Sequence, residues 1–306
     1  MDSHSQPHGE PSRPEGPAGH NPILALEVIR RMRGASQPYL MRCADESNYV
    51  VKFQNNPQHV RILANEMLAG RLAMLIGLPV AAPAFVEVPP GLIRGTPPLE
   101  LEIGSRRELC LAGLQFGSRY PGAPGQTLVV DFLPDRLLSR VKGLASLFLG
   151  GFVFDKWTCN CDGRQVVFYH SVNDEDPAYS ALLIDQGFCF NDGDWSFPDS
   201  PIRGLYPRRL VYDEVRGLKS FEPFLSRVEN LDSSQIGECI SQMPGEWCGP
   251  DPGKLNQLAE TLYKRRRGIR QAIIDAKNSS LKPFPNWRET NRIARPRPDP
   301  WSKRVD

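Results

Sequence analysis

The sequence predicts an α+β fold of two lobes, a small β-rich N-terminal lobe with one helix and a larger, mainly helical C-terminal lobe. Its 306 residues are 40% hydrophobic and 24% charged, which is typical of a globular chain near the size limit of one core. The N-terminal part alternates short β-type runs with a single amphipathic segment, whereas the apolar runs beyond residue 127 have helical length. These observations together favour the two-lobed arrangement.

Composition shifts set the expected boundaries. Both ends of the chain are rich in proline and poor in apolar residues, so neither end can bury enough apolar surface to fold by itself. We assign the chain to a disordered tail (1–22), an N-lobe that binds nucleotide (23–120), a C-lobe with a catalytic loop and metal site (121–281), and a basic, Pro-rich tail (282–306).

The N-lobe elements follow from short-range patterns. β-branched and aromatic residues predict strands at 23–32, 38–43, 49–53 and 85–88. Apolar residues at a 3.6-residue period predict a helix at 57–76, which Gly77 and Pro79 end. Residues 89–126 are rich in Gly and Pro and show no clear pattern.

The C-lobe elements are expected to be mostly helical. The segments 128–140 and 141–154 have helical or buried patterns, and the last long helix is expected at 255–276 with its KRRR run exposed to solvent. Two short strands, 165–170 and 181–185, flank an acidic loop.

Charge and residue usage exclude several functions. The net charge of +2 gives no global field for nucleic acid, and no apolar run reaches the roughly 18 residues of a membrane span. The N-terminus has no apolar signal segment, so we expect a cytoplasmic protein whose seven cysteines are reduced thiols. Five histidines, three of them in the first twenty residues, make zinc hydrolysis or a Ser-His-Asp triad improbable.

Lys52 and Glu66 form the first pair of candidate site residues. Lys52 lies in a predicted strand between Val51 and Phe53. The alternative to a site residue is an ordinary strand lysine that is exposed to solvent. Glu66 has only apolar or small residues three and four positions away, so it faces protein rather than solvent. A buried carboxylate needs a partner, and Lys52, on the preceding strand, is the candidate, although a half-exposed glutamate is the alternative.

Acidic and amide residues follow in the C-lobe. Asp155 ends an apolar run, and Asn160 lies five residues later in a loop that precedes a strand. Such a loop can direct a carboxylate at an acceptor hydroxyl and an amide oxygen at a metal. Asp185 ends a buried strand and is followed by Gly187, which suits Mg²⁺ on phosphate oxygens, although a turn-capping aspartate is the alternative.

The order of these parts predicts phosphoryl transfer. A turn with Gly34 and Ser36 precedes the lysine strand, then come the glutamate helix, the Asp-x4-Asn loop and the Asp-x-Gly segment. Kinases have this order. Lys52, held by Glu66, would bind the ATP phosphates under the Gly34 turn.

The remaining residues complete this predicted site. Asn160 and Asp185 would hold Mg²⁺, and Asp155 would accept the proton of the acceptor hydroxyl.

At these residues the sequence resembles the HipA-like kinases, a bacterial family. The resemblance runs from about Leu24 to Leu205. It is carried by SNYVVKF, RILANEMLAGRLAMLIGLPV, FGSRYP, VFDKWTCNCD, LLIDQGFCF and FPDSPIRGLY. It implies a two-lobed protein-kinase-like fold, also similar to that of phosphatidylinositol kinases, with ATP, Mg²⁺ and transfer of the γ-phosphoryl group. By motif position it makes Asp155 the catalytic aspartate, and Asn160 and Asp185 the metal ligands.

The sequence departs from the family pattern in three places. After Asn160 the pattern has an Asp followed directly by an Arg, whereas here one residue separates Asp162 from Arg164. The phosphate turn has no Gly-x-Gly, and no His-Arg precedes Asp155. In a second scheme Asp162 would be the base, but the residue five positions later is Val167 rather than Asn, so Asp155 is preferred.

Three function classes follow. The leading one is an ATP- and Mg²⁺-dependent phosphotransferase acting on a hydroxyl, with Ser or Thr of a protein as the favoured acceptor and a lipid or small molecule as the alternative. The second is a nucleotide-binding regulatory module without turnover. A DNA-binding toxin component is disfavoured, because the charge is neutral and no recognition helix is evident.

Overall fold

The computed structural model of the protein describes residues 21–175 and 178–288. Most of the two predicted tails, residues 1–20 and 289–306, lies outside the described residues. Within the described part of the chain, no helix is long and apolar enough to cross a membrane. All seven cysteines are described and are free thiols, in agreement with the sequence-based expectation.

The N-terminal part of the chain is built on a closed β-barrel. The elements of this part are β1 (Ile23–Arg31), β2 (Tyr39–Cys43), β3 (Asn48–Lys52), α1 (Ile62–Leu75), β4 (Pro83–Val88), α2 (Pro90–Ile93), β5 (Glu100–Ile103), β6 (Arg106–Leu109) and β7 (Gly113–Arg119). The barrel order is β1, β2, β3, β7, β4, and β5 pairs with β6 as a separate hairpin. Side chains that alternate along β2 and β3, such as Tyr39, Met41 and Val51, fill the barrel interior.

The helix α1 begins later than the sequence predicts. Residues 57–61 form turns, and the first helical residue is Ile62, whose amide donates to the carbonyl of His59. Residues 62–73 are all buried, because α1 packs between the barrel and the C-terminal helices rather than exposing one face. A helix buried on all sides has no hydrophobic stripe to mark its start.

The C-terminal part combines a three-stranded sheet with helices. Its elements are β8 (Thr127–Val130), α3 (Asp135–Leu138), α4 (Leu144–Thr158), β9 (Gln165–Ser171), β10 (Ser180–Ile184), α5 (Phe224–Glu229), α6 (Ser233–Ile240), α7 (Gly245–Cys248), α8 (Gly253–Arg265) and α9 (Ile269–Asn278). The sheet order is β10, β9, β8, all antiparallel.

Two predictions for this part are wrong. The start of the segment 128–140 is strand β8, which pairs with β9 and therefore gains ladder hydrogen bonds that a helix would lack. The apolar run at 141–154 continues as α4 to Thr158, so Asp155 lies inside the last helical turn instead of at the start of a loop.

The closing helix is broken, and only Lys264 and Arg267 of its basic run are exposed to solvent. A 3-10 turn at Arg266–Gly268 separates α8 from α9. Arg266 is 8% exposed and donates to the carbonyl of Leu231 at 2.8 Å, and Arg265 binds Asp199. The side chains of Arg265 and Arg266 therefore make contacts within the fold.

The largest apolar cluster joins α1, α4 and the C-terminal helices, and Phe284 belongs to it with 5% exposure. Trp287 stacks on Phe284 with ring centroids 5.8 Å apart. The packed chain therefore extends beyond residue 281, the predicted end of the C-lobe.

Candidate active site

Three charged side chains from three separate elements meet beside the barrel. The ammonium of Lys52, at the end of β3, contacts Glu66 Oε1 of α1 and lies 3.0 Å from Asp185 Oδ1, directly after β10. Lys52 is 7% and Glu66 3% exposed. The structure thus brings together the lysine, the glutamate and the Asp-x-Gly aspartate that the sequence places in one site.

The electrostatics favour the charged forms of Lys52 and Asp185, whereas burial raises the pKa of Glu66. Burial alone would lower the pKa of Lys52, but the carboxylates of Glu66 and Asp185 outweigh burial and hold it above its usual value. Burial alone would raise the pKa of Asp185, and the neighbouring Lys52 reverses this shift and lowers it. Asp185 is therefore an ionised carboxylate whose side chain is 28% exposed, open to a cation from solvent.

The turn with Gly34 and Ser36 lies at the same end of the barrel as Lys52. Arg31 pairs with Tyr39, and Tyr39 pairs with Val51, so the β1–β2 turn projects beside the end of β3. The turn is hydrogen-bonded to strand β5, because Gln37 exchanges two hydrogen bonds of 2.8 Å with the backbone of Glu102. Gly34 is exposed and has a φ of 129° that favours glycine.

Asp155 is placed differently from the sequence prediction. Its side chain is fully buried and forms a two-pronged ion pair with Arg164, whose Nε lies 3.0 Å from Oδ2. Asn160 Nδ2 donates to Asp155 Oδ1 at 3.1 Å. Gly204 lies against the base of this side chain, since a Cβ at Gly204 would come within 2.6 Å of Asp155 Cβ. The carboxylate has no open path to an acceptor hydroxyl.

Asn160 is also engaged inside the protein. It is 1% exposed, and its Oδ1 accepts the amide of Asp162 at 3.2 Å while Nδ2 binds Asp155. Both polar atoms of the side chain are used, so this geometry is that of a residue that shapes the loop. The predicted roles of Asp155 as the catalytic aspartate and Asn160 as a metal ligand require access from solvent, whereas both side chains are buried, Asp155 in the last turn of α4 and Asn160 just after it.

The loop between α4 and β9 instead exposes Asp162. Its Oδ1 accepts the amide of Gly163 at 2.7 Å, which leaves Oδ2 toward solvent. Gln165, three residues later, donates from Nε2 to Asp185 Oδ2 at 3.1 Å. Asp162 therefore lies in the short connection that leads directly to the Lys52–Asp185 cluster.

Asn65 fixes the segment that follows Asp185. This fully buried side chain donates to the carbonyls of Gly187 at 2.7 Å and Asp192 at 2.8 Å, and its oxygen accepts Trp195 Nε1 at 2.7 Å. The amide of Gln186 binds Glu66 Oε2 at 2.9 Å. Helix α1 thus holds both Lys52 and the Asp185 loop.

The FPDSPIRGLY segment lies against α4. Lys156 Nζ donates to the carbonyls of Ser200 at 2.7 Å and Pro201 at 2.8 Å, and Arg203 contacts Asn191 Oδ1 at 3.1 Å. Sequence reasoning missed Gln165 and Asn65, and it noted Arg164 only as the displaced basic residue of the family pattern, not as the partner of Asp155. Asn65 could have been found as Glu66 was, from a polar residue within an all-apolar helix, whereas the pairing of Arg164 has no local signal.

The comparisons with known proteins bear on the family and the fold. Residues 25–173 match the sequence model of the HipA-like kinase family, which confirms the resemblance seen in the motifs. A search of curated proteins finds no match to the chain.

Among solved structures, the Helicobacter pylori proinflammatory kinase CtkA is similar with a TM-score of 0.53 and 15% identity, over 85% of this chain and 100% of that chain. The Golgi casein kinase has a TM-score of 0.47 and 12% identity over 87% and 75% of the two chains. Hydra Fam20 has a TM-score of 0.47 and 10% identity over 85% and 86%. The likeness to CtkA shows that this chain has a kinase-like fold.

Proposed function

We propose that the protein is an ATP- and Mg²⁺-dependent phosphotransferase that moves the γ-phosphoryl group to a hydroxyl, with Ser or Thr of another protein as the acceptor. The observation that carries this proposal is the contact of Lys52 with both Glu66 and Asp185. Burying a lysine between two carboxylates carries a desolvation cost, so this cluster is better explained by a function than by stability. A lysine paired with a helix glutamate, beside a metal-binding aspartate, is the set that kinases use for phosphate and metal.

The residues fit a bound Mg²⁺–nucleotide. Mg²⁺ takes oxygen ligands and is commonly held by one or two protein side chains together with phosphates and waters. Asp185 offers an ionised, partly exposed carboxylate, and Lys52 lies beside it as a cation for phosphate oxygens. The metal would offset negative charge on the transferred group.

We propose Asp162, rather than Asp155, as the group that orients the acceptor hydroxyl and takes its proton. Asp162 is exposed, whereas Asp155 is enclosed by Arg164, Asn160 and Gly204. A general base must reach its proton at about 2.6–3.2 Å or through one water, which a sealed carboxylate cannot do. In this scheme Asp155 and Arg164 hold the loop that presents Asp162.

The test compares purified wild type with Lys52→Met, and with Lys219→Met as the matched control, since Lys219 is exposed and lies apart from the cluster. Each protein is incubated with Mg-ATP, and ADP release and intact mass are measured. We expect ADP release, with or without a phosphate-sized mass gain, in the wild type and Lys219→Met only.

Thermal melts of the same samples separate the remaining outcomes. Stabilisation by Mg-ATP without ADP release, including in the presence of a mixed protein acceptor, would contradict phosphoryl transfer and indicate a nucleotide-binding module. No stabilisation in the wild type would contradict the nucleotide site itself.

A further inference from the structure

The amide nearest to the Asp185 carboxylate belongs to Gln165. In the β9–β10 hairpin, Gln165 is the partner of Ile184, the residue before Asp185. This register puts the two side chains side by side at the end of the hairpin. Gln165 Nε2 lies 3.1 Å from Asp185 Oδ2, while Asp185 Oδ1 faces Lys52.

We propose that Gln165 supplies an amide oxygen ligand to the divalent cation that Asp185 binds. This inference rests on the proposed phosphotransferase function and names a ligand for its metal. It replaces Asn160, whose two side-chain polar atoms are held by Asp155 and the Asp162 amide at 1% exposure.

The chemistry of the amide allows the exchange. A glutamine presents an oxygen acceptor and an NH₂ donor at the end of one torsion, so a half-turn exchanges them without moving the backbone. When no cation is bound, the NH₂ group of Gln165 is the favoured neighbour of the Asp185 carboxylate. With a cation on Asp185 the carbonyl oxygen becomes the favoured one, because hard cations bind oxygen.

Access supports the same assignment. Gln165 is exposed and the Asp185 side chain is 28% exposed, so a hydrated ion can reach both. Among the described residues, no group of three or more His, Cys, Asp or Glu side chains could hold a metal. The cation therefore depends on Asp185, a neutral oxygen donor, phosphates and water.

The test measures Mn²⁺ binding to the full chain by electron paramagnetic resonance, in the presence of saturating ADP. Gln165→Leu removes the oxygen and is expected to weaken Mn²⁺ binding by the order of 10–100-fold. ADP binding without metal is expected to stay unchanged. Gln165→Glu keeps an oxygen and is expected to retain Mn²⁺.

The glutamate variant separates a ligand from a mere hydrogen-bond partner. If Gln165 only donates its NH₂ to Asp185, a glutamate there repels Asp185 and should impair binding at least as much as leucine does. The matched control is Gln271→Leu, which removes a similar amide–carboxylate contact, 2.8 Å to Asp275, on an exposed helix.

The outcomes distinguish the two proposals. Mn²⁺ binding by Gln165→Leu equal to wild type, with Asp185→Asn impaired, would overturn the role of Gln165 and leave the proposed function standing. Loss in both glutamine variants would also overturn it. A wild type that binds neither ADP nor Mn²⁺–ADP would contradict the proposed function and this inference with it.

Discussion

Replacing Asp155 by Asn should destabilise the protein strongly, whereas replacing Asp162 by Asn should not. Asp155→Asn removes one charge from the ion pair with Arg164, and the side-chain exposures of the two partners are 0% and 2%. Asp162→Asn alters an exposed side chain and keeps an oxygen for the amide of Gly163.

The magnitude follows from burial. Removing one partner of a buried ion pair costs about 3–5 kcal/mol, because the other charge is left without compensation. Arg164 retains a bond of 2.6 Å to Gln186 Oε1, which favours the lower part of this range. At about 2 °C per kcal/mol for a chain of this size, the melting temperature should fall by roughly 6–10 °C. An exposed substitution is expected to stay within about 0.5 kcal/mol.

Urea unfolding followed by tryptophan fluorescence measures this difference, since Trp157 of α4 is 1% exposed and reports on the same helix. Arg164→Lys provides a second variant that keeps the charge but loses the two-pronged geometry, so it should lose less stability than Asp155→Asn. Equal unfolding free energies for Asp155→Asn and the wild type would refute the buried-pair reasoning.

Three further predictions test other parts of the structure. Asn65→Ala should lower the unfolding free energy by about 2–4 kcal/mol in urea titrations, because several buried carbonyls lose their donor. Gly204→Ala should lower the melting temperature, since its φ of 80° disfavours a side chain and its Cβ would meet Asp155, while Gly237→Ala, in open space within α6, should raise it slightly. Under reducing conditions the unfolding free energy should fall as pH rises above 9, by up to about 1.4 kcal/mol per pH unit for each thiol. Burial raises the pKa of these thiols above 9 in the folded state, so they keep their protons there and lose them only on unfolding: Cys43, Cys110, Cys189, Cys239 and Cys248. If the unfolding free energy of a Cys239→Ala variant fell with pH as steeply as that of the wild type, the result would contradict this last expectation.

The sequence predicts well what depends on local pattern. The first three strands and the Asp-x-Gly segment follow from alternation and turn residues, and the burial of Glu66 follows from its apolar helical neighbours. The contact between Lys52 and Glu66 then follows from the cost of an unpaired buried charge.

The rest depends on tertiary contacts that no local pattern records. The interior position of Asp155 is set by Arg164 nine residues later and by Gly204, and neither is marked as its partner in the sequence. One extra helical turn, to Thr158, places Asp155 within α4 rather than in the loop that follows it. Similarly, Arg266 looks like part of a basic surface run until Leu231 is seen to accept its hydrogen bond.

The measurement that tests the central claim most directly is the rate of ADP release from Mg-ATP by Asp162→Asn beside the wild type, with and without a mixed protein acceptor. The site geometry predicts an unchanged melting temperature, an unchanged KM for ATP and a kcat lower by roughly 10²-fold or more, since removing a general base costs about that factor. Turnover by Asp162→Asn at the wild-type rate would contradict the assignment of the general base to the exposed loop between α4 and β9.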